Sequence, residues 1–200
     1  MCGRYYAGGD FAEKLMDILE EEDIAAAEPV YDRTGQDVLP SELSTVIAEE
    51  GGGLAAVNMH WGFDAPRGNG LLINARAETA REKQTFSDSV LHRRCVIPAS
   101  GFYEWDRDRT KYRFTRPDGG LLLLAGFYTG VKGEQRYTIL TTEANDSMRP
   151  VHDRMPLTIG RDEIRPWIKD AESLTEFLTR PQGELVRTQD SGQIRMDLGI

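Results

Sequence analysis

Eight short runs rich in apolar, β-branched or aromatic residues crowd the middle of this chain, at 43–48, 54–61, 71–74, 94–97, 102–105, 112–115, 121–131 and 136–142. Runs of this length bounded by turn residues read as strands. Gly51-Gly52-Gly53 and Asp118-Gly119-Gly120 separate pairs of runs and read as hairpin turns. Helices are expected at the margins. Asp10 is placed to cap a helix whose Phe11, Leu15, Ile18 and Leu19 share one face. A second helix is expected over 79–91, and two late ones over 162–169 and 172–179, with Asp162 and Ser173 as caps. Residues 24–42, punctuated by Pro29, Gly35 and Pro40, are expected to be irregular. The class that fits is α+β: a curled, barrel-like, mainly antiparallel sheet with peripheral helices. No repeat or linker divides residues 1–200, so one domain is expected.

The sequence also excludes several functions. No apolar run reaches the ~18 residues of a membrane span, and the first residues lack the basic flank of a signal peptide. Two cysteines and three histidines suit neither a disulfide framework nor a dedicated metal site. The glycine loops of nucleotide and dinucleotide binders and the G-x-S-x-G elbow are absent, so no cofactor is expected. A reduced, cytoplasmic protein without membrane or metal partners is expected. The net charge of −9 argues against general nucleic-acid affinity, but it is uneven. Residues 1–60 carry 3 basic and 13 acidic side chains, residues 61–116 carry 11 and 7, and the remainder 10 and 13. The middle is therefore the cationic part of an acidic chain.

The candidate chemistry begins at Met1-Cys2-Gly3-Arg4. Initiator methionine is commonly removed before a small residue, and Cys2 then carries an α-amine and a thiol on adjacent carbons. Their ordinary pKa values, about 7.7–8.0 and about 8.5, leave both reactive near neutrality. Such an aminothiol can attack a carbonyl to give an acyl-enzyme, or condense with an aldehyde to give a thiazolidine. Asn74 and Arg76, at i and i+2 of an extended segment, share a face and suit an oxyanion or phosphate. Glu78 is either a rival to them or a partner for Arg76. Glu104, inside Gly101-Phe102-Tyr103-Glu104-Trp105, is a carboxylate among aromatics, a setting that suits a general acid or a paired charge. His152, in Arg149-Pro150-Val151-His152-Asp153-Arg154, suits proton transfer or a structural role. Cys95, in a strand, reads as a buried small hydrophobe.

Taken in order, these segments resemble one family, the SOS response-associated peptidase (SRAP) domain. The matching stretches are Met1-Cys2-Gly3-Arg4-Tyr5, His60-Trp61-Gly62-Phe63, Ile73-Asn74-Ala75-Arg76-Ala77-Glu78-Thr79, 93–105, Leu124-Ala125-Gly126, 141–145 and His152-Asp153-Arg154-Met155-Pro156. The resemblance implies the SRAP fold and a monomeric sensor of abasic sites in single-stranded DNA, active in the DNA damage response. It implies that processed Cys2 joins the ring-opened aldehyde as a thiazolidine, that Asn74 places the terminus, and that Glu104 and His152 move protons. It implies Arg4, Trp61, Arg76, Arg149 and Arg154 as contacts to DNA, and nucleoid association in a bacterium.

The chain departs from the family at Asp64-Ala65-Pro66-Arg67-Gly68-Asn69-Gly70, which is shortened and lacks the aromatic that stacks on bases. Stacking contributes about 1–3 kcal/mol per base, so weaker noncovalent affinity is expected. Two alternatives stand beside the crosslinker. One is a peptidase or amidase using the Cys2 thiol; class II glutamine amidotransferases also open Met-Cys-Gly. The other is a noncovalent binding module built on Arg76, Arg149 and the basic hairpin at 107–116.

Overall fold

The computed structural model describes residues 2–131 and 133–190. Its centre is a closed barrel of five strands. Leu43–Glu50 and Gly53–Trp61 form a hairpin, paired from Leu43 opposite His60 to Glu50 opposite Gly53. Gly51 and Gly52 turn it with φ of 59° and 87°, a conformation that costs other residues energy. Arg94–Ala99 pairs with Leu43–Glu50 on one side and Leu122–Val131 on the other. Leu122–Val131 in turn pairs with Glu134–Glu143. A short parallel ladder, Arg136 opposite His60 and Tyr137 opposite Trp61, closes the ring. Closure removes the free edges that expose unpaired amides.

Two further segments lie along Glu134–Glu143. Asn74–Arg76 runs parallel to it, with Arg76 opposite Thr141. Arg154–Pro156 pairs antiparallel, with Arg154 opposite Glu143. A five-stranded sheet packs beside the barrel, in the order Val186–Gln189, Lys111–Thr115, Gly101–Trp105, Tyr5–Ala7, Gln36–Val38.

The barrel strands bury both faces, which is why they read as continuous apolar runs. In Leu122–Val131, Leu123, Ala125 and Phe127 join the core beneath the helices, while Leu122, Leu124 and Tyr128 join the core shared with the five-stranded sheet. Helix Phe11–Glu21 buries Phe11, Leu15, Ile18 and Leu19, the expected face. Arg94, 3% exposed, donates to the carbonyls of Val90, Leu91, Trp167 and Ile168. One guanidinium thereby satisfies the open C-terminal ends of Ser87–His92 and Ile164–Lys169.

Several expectations need correction: helix Ile164–Lys169 has Glu163 rather than Asp162 at its cap position, and Ser173 makes no side-chain cap hydrogen bond. The segment expected as one helix over 79–91 is two, Ala77–Ala80 and Ser87–His92. The break lets Ala77 and Ala80 on one side, and Phe86 and Val90 on the other, all reach the core. The Asp118-Gly119-Gly120 turn joins strands of different sheets, so it closes no hairpin. The segment 24–42 contains two short strands, Ala25–Ala26 and Gln36–Val38. The Asp10 carboxylate makes no cap hydrogen bond and instead pairs with Lys14 at 2.6 Å. Among the described residues, no helix is long and apolar enough to cross a membrane.

Candidate active site at the first strand

The strand Tyr5–Ala7 fixes the position of Cys2. It pairs with Gly101–Trp105 and Gln36–Val38, and the ladder extends outward through Tyr103 N–H to the Arg4 carbonyl at 2.9 Å. Its anchor is Tyr5, fully buried, whose hydroxyl meets Ser44 Oγ and Tyr137 Oη, each at 2.7 Å. This chain of hydroxyls ties the first strand to the barrel. Gly101 permits the close approach of its neighbours: a Cβ there would stand 2.4 Å from the Phe114 carbonyl and 2.7 Å from the Tyr6 ring.

Cys2 is 1% exposed. Asn74 Nδ2 donates to its carbonyl at 2.8 Å, across 72 residues of sequence. Asn74 Oδ1 is also buried and has no hydrogen-bond partner among the described residues. An unmatched buried acceptor costs about 1–3 kcal/mol, and it lies on the side chain that grips the first residue. Burial first, and then the negative charge of Glu104, push the Cys2 thiol up to about 12. Hydrogen bonding of the thiol to the Arg4 carbonyl, at 3.8 Å, opposes them. Glu104 itself is 8% exposed, and one carboxylate oxygen accepts the Trp105 N–H at 3.4 Å. The structure thus brings Cys2, Asn74 and Glu104 into one neighbourhood.

His152 lines a cleft of about 710 Å³ together with Trp105, Asp106, Arg149, Pro150 and Asp153. Its Nδ1 accepts the Arg154 N–H at 2.9 Å, so the neutral ring carries its proton on Nε2. Asp153 Oδ1 stands 2.9 Å from the same Nδ1, placed to receive a proton from the charged ring.

The expected DNA contacts separate into distinct environments. Arg4 pairs with Asp37 at 3.3 Å and lies 5.7 Å from the Trp105 ring centre. Arg76 is exposed and, among the described residues, forms no ion pair. Arg149 is largely exposed; it bonds the Ala144 carbonyl and pairs with Asp146. Arg154 is held by Glu78 through both guanidinium nitrogens, at 2.7 and 2.8 Å. Glu78 is therefore Arg154's partner; pairing with Arg76 was one of the two readings open to it. Trp61 corrects its expectation outright. It is 0% exposed, stacks parallel on Tyr137 and donates its indole N–H to the Ile73 carbonyl at 3.0 Å. A ring so enclosed meets no base; its work is to seat the segment that carries Asn74. Cys95 is fully buried, and burial raises its thiol. Removal of Met1 concerns a residue outside the described ones. Among the described residues, no group of three His, Cys, Asp or Glu side chains is gathered to hold a metal.

Two contributors carry little signal in the sequence. Tyr5 reads as an ordinary strand aromatic, yet its hydroxyl joins strand and barrel. Trp105 follows Glu104 in sequence, and its 36% exposure at the cleft wall depends on strand alternation at the sheet's end.

A family model described as SOS response associated peptidase (SRAP) matches residues 1–193. The chain is 32% identical over 193 residues to abasic site processing protein YoaM of Bacillus subtilis, across 89% of this chain and 83% of the relative. It is 27% identical over 185 residues to abasic site processing protein YedK of Escherichia coli, across 84% and 80% respectively. A crystal structure of a protein from Bordetella bronchiseptica shares the fold, with a TM-score of 0.75 at 24% identity over 94% of this chain and 99% of that one.

Proposed function

The chain belongs to the SOS response associated peptidase family, and from that premise we propose that it processes abasic sites in single-stranded DNA by linking them covalently to Cys2. The relatives named above are called abasic site processing proteins. The observation that carries the reading to this chain is the grip of Asn74 on the Cys2 carbonyl, at 2.8 Å, beside the Glu104 carboxylate.

Once Met1 is removed, the α-amine of Cys2 attacks the ring-opened aldehyde. The carbinolamine loses water and gives an imine. The thiol sulfur then adds to the imine carbon, its proton passes to nitrogen, and a five-membered thiazolidine closes. One water leaves, and nothing is oxidised or reduced. The thiol is neutral in the free protein, so its proton must be taken up as the ring closes. Glu104 is the carboxylate whose charge reaches Cys2, and it supplies the acid to the leaving water and the base to the thiol. Asn74 Oδ1, a buried acceptor in want of a donor, suits the N–H of the iminium or of the closed ring. His152 with its proton on Nε2 offers a hydrogen bond to the sugar oxygen as the ring opens. Arg76, exposed two residues beyond Asn74, suits the adjoining phosphate.

The test is Cys2→Ser on protein whose Met1 has been removed, mixed with uracil-excised single-stranded DNA. The serine variant is expected to form no heat- and detergent-resistant adduct, while its binding to DNA changes less than about threefold. Full adduct formation by the serine variant would sink the thiazolidine. Hydrolysis of an amide by the native protein, without any adduct, would favour the thiol hydrolase.

A further inference from the structure

At the end of strand Glu134–Glu143 two arginines and a carboxylate converge. Arg76 lies opposite Thr141, and Arg154 opposite Glu143. Glu78, in the first turn of Ala77–Ala80, meets Arg154 with both oxygens, at 2.7 and 2.8 Å. The two partners are held unequally. Arg154 is 14% exposed in its side chain and is anchored by a second bond to the Thr141 carbonyl at 2.6 Å. Glu78 is 45% exposed. The carboxyl of Glu78 is held below its ordinary range, first by the Arg154 bonds and further by the charge of Arg76. Among the described residues Glu78 is thus bonded by Arg154 alone of the two cations, while the charge of Arg76 acts on it without a direct bond. Arg154 Nε, meanwhile, is a buried donor with no acceptor among the described residues, so its fork is not fully used.

A carboxylate and a phosphate present the same bidentate face to a guanidinium. We propose that Glu78 is an internal stand-in for phosphate: it occupies Arg154 in the free protein, and a DNA phosphate must displace it or approach against its charge. Glu78 therefore sets the affinity for unmodified single-stranded DNA. It keeps that affinity low, so that retention depends on the reactive lesion. Of the pair, Glu78 is the one that moves, because Arg154 is fixed by strand pairing and by Thr141. This inference rests on the DNA reading above.

The experiment is a salt titration of binding to a fluorescein-labelled oligothymidylate without lesions. Glu78→Gln keeps the shape and removes the charge. It is expected to bind about 3- to 10-fold tighter at low salt, with the log–log salt slope steeper by about 0.7, one further phosphate contact on a single strand. Adding Arg154→Ala to that variant is expected to cancel both gains. Glu78→Asp, which keeps the charge, is expected to bind like the native protein, and circular dichroism checks the fold of each. Glu78→Gln binding no better than a native protein that does bind would make Glu78 a structural brace and leave the DNA reading standing. No binding by either protein at low salt overturns this inference, while adduct formation with lesion-bearing DNA decides the DNA reading separately.

Discussion

Cys2 is a nucleophile that burial keeps protonated. Its thiol is pushed up to about 12 by the loss of water around it and by the charge of Glu104. The two effects of Glu104 can be separated, because the carboxylate both raises the thiol and, in the proposed reaction, accepts its proton. Glu104→Gln is expected to speed alkylation of Cys2 by iodoacetamide at pH 9 while slowing crosslinking by about 10²-fold. Parallel loss of both rates would assign Glu104 to structure alone. Burial of thiols also sets a pH window for stability. Cys2 and Cys95 stay protonated in the fold above the pH, about 8.5, where unfolded thiols ionise. The unfolded state then binds fewer protons, so stability falls as pH rises between about 9 and 12, by about 1.4 kcal/mol per pH unit for each thiol. Cys95→Ala is expected to flatten that slope in urea titrations, and an unchanged slope would mean that this thiol ionises freely in the fold. At this scale residue type and spacing single out candidates and say little about their surroundings. Cys2, Asn74 and Glu104 could be named from residue type and spacing. Trp61 misled, because an aromatic beside a glycine looks the same in sequence whether it faces solvent or fills a barrel.

The strand elements were legible because burial on both faces leaves a continuous apolar run that period counting finds. Strands such as Arg154–Pro156 and Val186–Gln189 were not. The first is three residues long, and the second is exposed throughout, so neither has an apolar pattern to detect. The helix expected over 79–91 failed for a related reason: local propensity favours one helix, whereas the core needs both Ala80 and Phe86 inside. The first strand's place depends on Gly101 and Tyr5, which pull in one direction. Gly101→Ala sets a methyl 2.4 Å from the Phe114 carbonyl, and overpacking against backbone costs about 1–3 kcal/mol. A fall in the urea midpoint with a parallel fall in crosslinking rate is expected. Unchanged stability would mean that the five-stranded sheet yields locally, and that the register holding Glu104 near Cys2 is softer than its ladder suggests.

Across the whole molecule, charge and chemistry point in different directions. A chain of net charge −9 is a poor general ligand for DNA, and its cations near the site are largely engaged: Arg4 by Asp37, Arg149 by Asp146, Arg154 by Glu78. The covalent link proposed for Cys2 would resolve the conflict, since retention would then need little counterion release. The barrel was foreseeable from its strands. Its closure was not, because the parallel ladder between Tyr137 and Trp61 joins segments 76 positions apart with no local signal. Asn74 then reaches Cys2, which lies just before the first strand, Tyr5–Ala7. The most direct measurement is intact mass after mixing uracil-excised single-stranded DNA with two preparations, one with Met1 removed and one with it retained. The account predicts a heat-stable adduct on the processed protein, of the summed masses less one water and mapping to Cys2, and none on the unprocessed protein. An equal yield from protein that keeps Met1 would contradict it.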